Sequence, residues 1–325
     1  MVTREDSVEE TSAWGVLRAI INGQEATGVA DEAIVRAATQ GEVAALIAEL
    51  CPRLATSFAP IIEREVFVSL QLDRALNAAV SALKDAQLPS PVIVKGCAAA
   101  RLVYDNPSHR IGVDVDVLVA EEDFDRTLEC LRAAGFRTAT SEGLVRRHGP
   151  RPWEEELSWV TQGGSVSIDV HRKLAASERF RVNHEGILSR AIAHDEVPWP
   201  ISHPEDTLLH TALHMAVNRF WVPLKSWVDV RRLIDHPDVD LDRVFERATR
   251  WKMRTALWSV LWVCHRWFPG SLPQAALREI EPAVGIRHAL RAGLAANGQR
   301  PIRGNPKGRW SQLCYGPLLS DDLPS

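Results

Sequence analysis

The chain has 325 residues, 46% of them hydrophobic and 25% charged, with a formal net charge of −4. That length supports about two domains, or one core with helical additions, and can bury a sizeable core; the charge balance argues against a basic nucleic-acid footprint or an acidic disordered tail. Five cysteines, at positions 51, 97, 130, 264 and 314, include no Cys-x-x-Cys pair, which argues against a disulfide framework and a cysteine zinc site. The opening residues, Met1 to Asp6, lack the basic-then-apolar pattern of a secretory signal. Charges interrupt the apolar stretches well short of the ~18 residues a membrane span needs. A soluble cytoplasmic protein is expected. Most of the 11 tryptophans follow residue 150, where they read as core packing of a helical half.

Residues 1–88 read as helical. Leu17, Ile20 and Ile21 form a short apolar stripe that Gly23 can end. Asp31 to Leu50 is alanine-rich and periodic. Pro60 is suited to open a long helix to about Gln87, with Phe67, Leu70, Leu76 and Val80 near helical spacing. Nothing here is catalytic in character; a helical shoulder for the core is expected.

Residues 90–175 differ. Pro91 to Lys95 is a short β-branched run bounded by Gly96, as a buried strand would be. Cys97 to Tyr104 favours helix, Asp105 to Ser108 is turn chemistry, and Gly112 to Val119 is a second strand. Glu121 to Ala134 is a helix with Phe124, Leu128 and Leu131 on one face and Gly135 at its C′ position. Leu157 to Gln162 and Ser165 to His171 read as strands of a hairpin turned by Gly163 and Gly164. Helix returns at roughly 204–218, 223–235, 241–253, 255–268 and 285–296, the first opened by a capping box of Ser202 and Glu205. The fold class is therefore α/β (α+β): a small mixed sheet at 89–200, N-terminal helices at 1–88, a helical domain at 201–297 and an extended basic tail at 298–325.

The chemistry concentrates in Gly112 to Val119. Strand side chains alternate between faces, so the valines at 113, 115, 117 and 119 share one face and Asp114 and Asp116 the other. Aspartate is disfavoured in strands, and two like charges on one face repel unless a cation neutralises them. Hard Mg²⁺ does so, preferring carboxylate and phosphate oxygens. Asp169 has the same setting: Val166, Ile168 and Val170 share one face, and Ser167, Asp169 and His171 the other. If the two strands are neighbours, three carboxylates converge, enough for a two-metal phosphoryl or nucleotidyl transfer centre. Solvent-facing aspartates on an edge strand are the alternative. Lys95, Gly96 and Cys97 stand where a strand turns into a helix, whose free N–H groups and dipole bind phosphate.

The run VIVKGCAAARLVYDNPSHRIGVDVDVLVAEEDFDRTLECLRAAGF, with IDVHRKL at 168–174 and HPEDTLLHTALHMAVNRFWVPLKSWVDVRRLID at 203–235, resembles the uncharacterised nucleotidyltransferase family of the DNA polymerase β-like superfamily. The resemblance covers roughly residues 90–236. It implies that the mixed sheet is a nucleotidyltransferase core, transferring a nucleoside monophosphate from an NTP, ATP favoured, with release of pyrophosphate. Asp114 and Asp116 would hold two Mg²⁺ ions. Asp169 would bind the catalytic metal and orient or deprotonate the acceptor hydroxyl. Gly96 and the adjacent backbone would meet the β- and γ-phosphates. The superfamily commonly has Gly-Ser or Gly-Gly there; a Cys97 thiol is a poorer donor than a hydroxyl, which leaves the backbone role.

Lys95 and Arg110 flank this patch and can neutralise triphosphate charge; His171 shares the face of Asp169, and the family pattern favours a functional role for it. Arg146, Arg147 and Arg151 precede the hairpin, where a solvated loop is the simpler reading. His210 and His214, four apart, have metal-holding spacing, but the Glu of a His-Glu-x-x-His motif is missing, so packing or contact with Asp229 is expected instead. From Pro282 to Ser320 there are six Lys or Arg and no acid, a stretch that can steer an anionic substrate or simply be solvated. The acceptor is expected to be a small molecule, with a protein hydroxyl second; neither nucleic acid nor membrane is expected. The main rival is a nucleotide- or partner-binding module without turnover, favoured by Cys97. A zinc phosphohydrolase using the histidine pair is a weaker one.

Overall fold

The structure, a computed structural model, describes residues 4–25, 28–110, 112, 114–138, 153–161, 164–175, 179–296, 319 and 321. In chain order its helices and strands are α1 (Arg4–Ile21), α2 (Asp31–Gln40), α3 (Ala44–Leu50), α4 (Ala55–Asp85), β1 (Val92–Ile93), α5 (Lys95–Val103), β2 (Asp114–Leu118), α6 (Phe124–Ala133), β3 (Arg137–Thr138), β4 (Glu154–Thr161), β5 (Gly164–His171), α7 (His184–Arg190), α8 (Pro204–Val217), α9 (Leu224–Ile234), α10 (Leu241–Arg250), α11 (Arg254–Trp267), α12 (Gln274–Glu279) and α13 (Val284–Ala296). The chain divides into two compact units, one of residues 64–210 and one of residues 1–63 with 211–325.

The first unit holds a five-stranded mixed sheet in the order β1-β2-β5-β4-β3. β2 and β5 run parallel; the other neighbouring pairs are antiparallel. Register follows the alternation in the sequence. Val115 pairs with Ile168 and Val117 with Val170, and these four face a core completed by Leu72, Ala75, Leu76, Ala79 and Leu83 of α4 and by Phe124, Leu128 and Leu131 of α6. Each fully buried Val, Ile, Leu or Phe among them contributes roughly 1.5–3 kcal/mol. Because the strand period is two, burying the valines forces Asp114, Asp116, Ser167, Asp169 and His171 onto the opposite face. The end of α6 is as expected, with Gly135 at φ +99°.

Several sequence expectations change in detail. Pro60 lies inside α4 instead of opening it, because the 3₁₀ turn Pro52–Leu54 leads straight into the helix and supplies the N-terminal proline. Phe67 and Leu70 do not share a face with Leu76. Nine residues separate Phe67 from Leu76, about half a turn in net rotation, so burying the stripe from Leu72 to Leu83 leaves Phe67 and Leu70 exposed. The alanine-rich segment 31–50 breaks into α2 and α3 at Gly41 and Glu42, the latter at φ +55°. Ser202 does not form the expected capping box: α8 starts at Pro204, and the Ser202 hydroxyl hydrogen-bonds the Thr207 hydroxyl at 2.7 Å. β3, α7 and α12 were not anticipated.

In the second unit, tryptophans do pack the core. Trp14, Trp227 and Trp258 are among its largest fully buried side chains, and the Trp227 and Trp267 rings meet at 4.9 Å. A residue from the C-terminal segment caps α11. Asp321 Oδ2 accepts from the Arg254 N–H at 2.9 Å, and its Oδ1 accepts from the Thr255 N–H at 3.0 Å and hydroxyl at 2.8 Å.

Candidate active site

The site is built on the polar face of β4, β5 and β2. Asp116 on β2 is the register partner of Asp169 on β5, and Asp114 the partner of Ser167. Across β5, Glu156 pairs with Asp169 and Glu154 with His171. Five carboxylates thus share one sheet face. They are not equivalent: Asp116 is buried, Asp169 half-buried and Asp114 exposed.

β1 brings the cation. Val94 donates its N–H to the Asp116 carbonyl at 2.9 Å, fixing the turn into α5 against β2. Lys95 then adopts φ +52°, a left-handed conformation uncommon for a residue with a side chain. The turn sends its ammonium onto Asp116 Oδ1, as an ion pair, and to 3.5 Å from His171 Nε2. His171 is fully buried; its Nε2 lies 2.8 Å from Asp116 Oδ1 and its Nδ1 3.3 Å from Glu154 Oε2.

The electrostatics follow from crowding. Burial opposes the charge on Asp116, but the Lys95 ammonium and the His171 hydrogen bond outweigh it and hold the carboxyl well below the usual range. Burial and then the Asp116 and Asp114 charges push Asp169 up to about 8. Glu154 is raised to about 7, chiefly by burial. Burial and the adjacent Lys95 lower His171, so the imidazole is neutral. For Lys95, burial is outweighed by Asp116 and the surrounding carboxylates, and its pKa rises. The Lys95 ammonium thus pairs with Asp116 on a face of five carboxylates, of which Asp169 and Glu154 keep their protons to near neutrality.

Ligand atoms of Asp116, Asp169 and His171 lie within 4.8 Å of one another, which among the described residues is the group that can hold a metal ion. Asp169 Oδ1 is buried without a hydrogen-bond partner among the described residues. Over this arrangement the chain matches, at residues 28–269, the family described as uncharacterised nucleotidyltransferase. The chain belongs to that family. No curated protein matches it. A nucleotidyltransferase needs oxygen-rich ligands for a divalent cation beside a phosphate-binding turn, and the donor set of Asp116 and Asp169 with an imidazole fits one.

The turn at Gly96 is tight for a visible reason. A Cβ placed there would lie 2.7 Å from Arg110 Nη2 and 2.9 Å from Nη1. Arg110 is buried at this turn. Lys95 is likewise tucked in, its side chain 20% exposed. The Cys97 thiol lies 3.4 Å from Arg101 Nη1 and is raised in pKa by burial. The acidic residues of this face that sequence reasoning missed are Glu154 and Glu156. Their signal is the alternation from Glu154 to Trp159, in which Leu157 and Trp159 take the core face; starting the strand at Leu157 hid it.

Other candidates lie elsewhere. His210 and His214 are not part of the converging ligand group; the His214 carbonyl accepts from the Asn218 amide at 2.9 Å. Arg287 and Arg291 of the basic stretch both pair with Glu281, at 2.7 and 3.2 Å. Arg146, Arg147, Arg151, Gly163 and the basic residues from Arg300 to Arg309 lie outside the described residues. No helix among the described residues is long and apolar enough to cross a membrane.

Proposed function

We propose that the protein moves a nucleoside monophosphate from an NTP, ATP favoured, to a hydroxyl of a small-molecule acceptor and releases pyrophosphate. The observation that carries this reading is the parallel pairing of β2 with β5, which sets Asp116 beside Asp169, brings ligand atoms of both and of His171 within 4.8 Å of one another, and leaves Asp169 Oδ1 buried with no hydrogen-bond partner among the described residues. Asp114, Asp116 and Asp169 would hold Mg²⁺, two ions being expected. Bound magnesium supplies charge neutralisation of the triphosphate and polarises the phosphorus under attack.

The chain's own groups do the rest. The free N–H groups of the first turn of α5, at Gly96 and Cys97, receive the β- and γ-phosphate oxygens. Lys95 and Arg110 add positive charge at the same turn. The Cys97 thiol is directed toward Arg101, so its backbone alone serves phosphate. Asp169, its own proton displaced when the metal binds, takes the proton of the acceptor hydroxyl as the new P–O bond forms and the bond to the pyrophosphate leaving group breaks. His171 holds Asp116 in place by its Nε2 contact.

The test is pyrophosphate release from the full chain with Mg²⁺, each of the four NTPs and a panel of hydroxyl-bearing metabolites. Turnover that disappears in Asp114→Asn/Asp116→Asn, with the fold retained, supports the reading. Tight NTP binding with no pyrophosphate under any acceptor would instead support a non-catalytic nucleotide-binding module.

A further inference from the structure

We infer that the exposed face of α4 pairs with the same face of a second copy, antiparallel, forming a reversible two-fold dimer. Val66, Phe67 and Leu70 are 42%, 44% and 54% exposed and adjoin along one side of the helix. These are large apolar groups left in water by a helix whose other side fills the core. They are flanked, one or two turns away on the same side, by Glu63 and Arg74. Neither forms an ion pair with another described residue.

The order of these residues identifies the occupant. An isologous antiparallel helix pair places residue i opposite residue j of the partner whenever i and j are equally distant from the dyad. A dyad midway between Phe67 and Leu70 sets Phe67 of one copy against Leu70 of the other. The same dyad sets Glu63 against Arg74, because each lies four residues outside that apolar pair. Two opposite-charge contacts therefore close the two ends of one apolar contact. A parallel pairing would instead place Glu63 against Glu63 and Arg74 against Arg74. The uncharged positions farther out, Pro60 opposite Asn77 and Thr56 opposite Ser81, offer no repulsion.

Three apolar side chains on one helix are less than a permanent dimer buries. The dimer is accordingly a concentration-dependent one, with a dissociation constant on the order of 10–100 μM.

Sedimentation equilibrium of the full chain tests this. The weight-average mass should rise from 36.1 kDa toward twice that value as concentration passes through that range. Phe67→Glu should abolish the rise. Glu63→Arg and Arg74→Glu should each weaken association about tenfold, more so at low salt. The double variant Glu63→Arg/Arg74→Glu restores both pairs with their signs exchanged and should return to within about threefold of the parent. All three substituted positions are exposed, and circular dichroism checks that the fold is kept. A mass fixed at that of one chain throughout the range, or a double variant as weak as the product of the singles, overturns the dimer.

Discussion

Asp116 and Asp169 sit directly opposite each other on neighbouring parallel strands, yet their carboxyl groups have opposite proton affinities. Asp116 has the Lys95 ammonium and the His171 ring; Asp169 has burial and other acids. Their amide replacements should therefore differ in a way that activity alone would hide. Asp116→Asn strands a buried ammonium and is expected to cost about 3 kcal/mol of stability. Asp169→Asn removes a carboxyl that the folded state must keep protonated at neutral pH while the unfolded state ionises it, so the metal-free melting temperature should rise. Both should reduce nucleotidyl transfer by about a thousandfold or more. Thermal melts beside turnover assays check this; equal destabilisation by the two would contradict the charge assignment.

Metal affinity should depend on pH through Asp169. Its folded pKa, about 8, lies above the ordinary value of 3.8, so below about pH 8 a metal must displace its proton. Mn²⁺ affinity is expected to climb roughly tenfold per pH unit below that point and level off above it. Glu154, raised to about 7, can add to the proton release if it responds to the same metal. Without metal the sign reverses for stability: the folded state holds a proton the unfolded state has lost, so the Asp169 contribution falls as pH rises from about 4 to 8. Calorimetry in buffers of different ionisation enthalpy counts the protons released, and a pH-independent affinity would rule the scheme out.

Lys95 stands where it competes with a metal for Asp116 and helps a triphosphate. Lys95→Met should tighten Mn²⁺ alone about tenfold and weaken NTP binding by a similar factor. Lys95→Arg should retain the parent behaviour in direction. Opposite shifts for the two ligands would not arise from a general loosening of the turn; shifts of the same sign would count against this placement of the ammonium.

Gly96→Ala forces a methyl group into the Arg110 guanidinium. The long arginine side chain can yield, so a stability cost of about 1 kcal/mol is expected alongside a larger loss of NTP affinity. Adding Arg110→Ala should recover the stability without recovering the affinity. Full recovery of both would mean the guanidinium has no part in binding phosphate.

Asp321 accepts three hydrogen bonds at the start of α11. Asp321→Ala should lower stability by about 1–2 kcal/mol, as for other lost helix caps. Chemical denaturation measures it, and an unchanged midpoint would show that the cap contributes nothing in solution.

Much of this site was legible before the fold. Period-two alternation around Val115, Val117, Ile168 and Val170 placed Asp114, Asp116 and Asp169 on a common face, and the parallel register then aligned them. What alternation does not convey is depth along a strand: Asp114 begins β2 in solvent while Asp116, one pleat on, is buried. It also does not convey a left-handed lysine. Nothing in the composition of the turn marks φ +52° at Lys95, since glycine normally takes that conformation and Gly96 stands beside it. Glu154 was hidden by a strand begun three residues late, and the outward face of α4 by treating its apolar residues as one stripe.

The adjacency of β2 and β5 also bears on how the molecule is made. Asp116 and His171 are 55 positions apart, and a parallel neighbour cannot be reached through a hairpin. During synthesis β2 emerges long before its partner strand, with its acidic edge unmated. Such non-local pairing forms slowly, because a long loop must close before any ladder bond rewards it. Competence to capture a metal is thus a late acquisition, absent from any nascent chain that stops short of β5, and it appears together with the completed sheet.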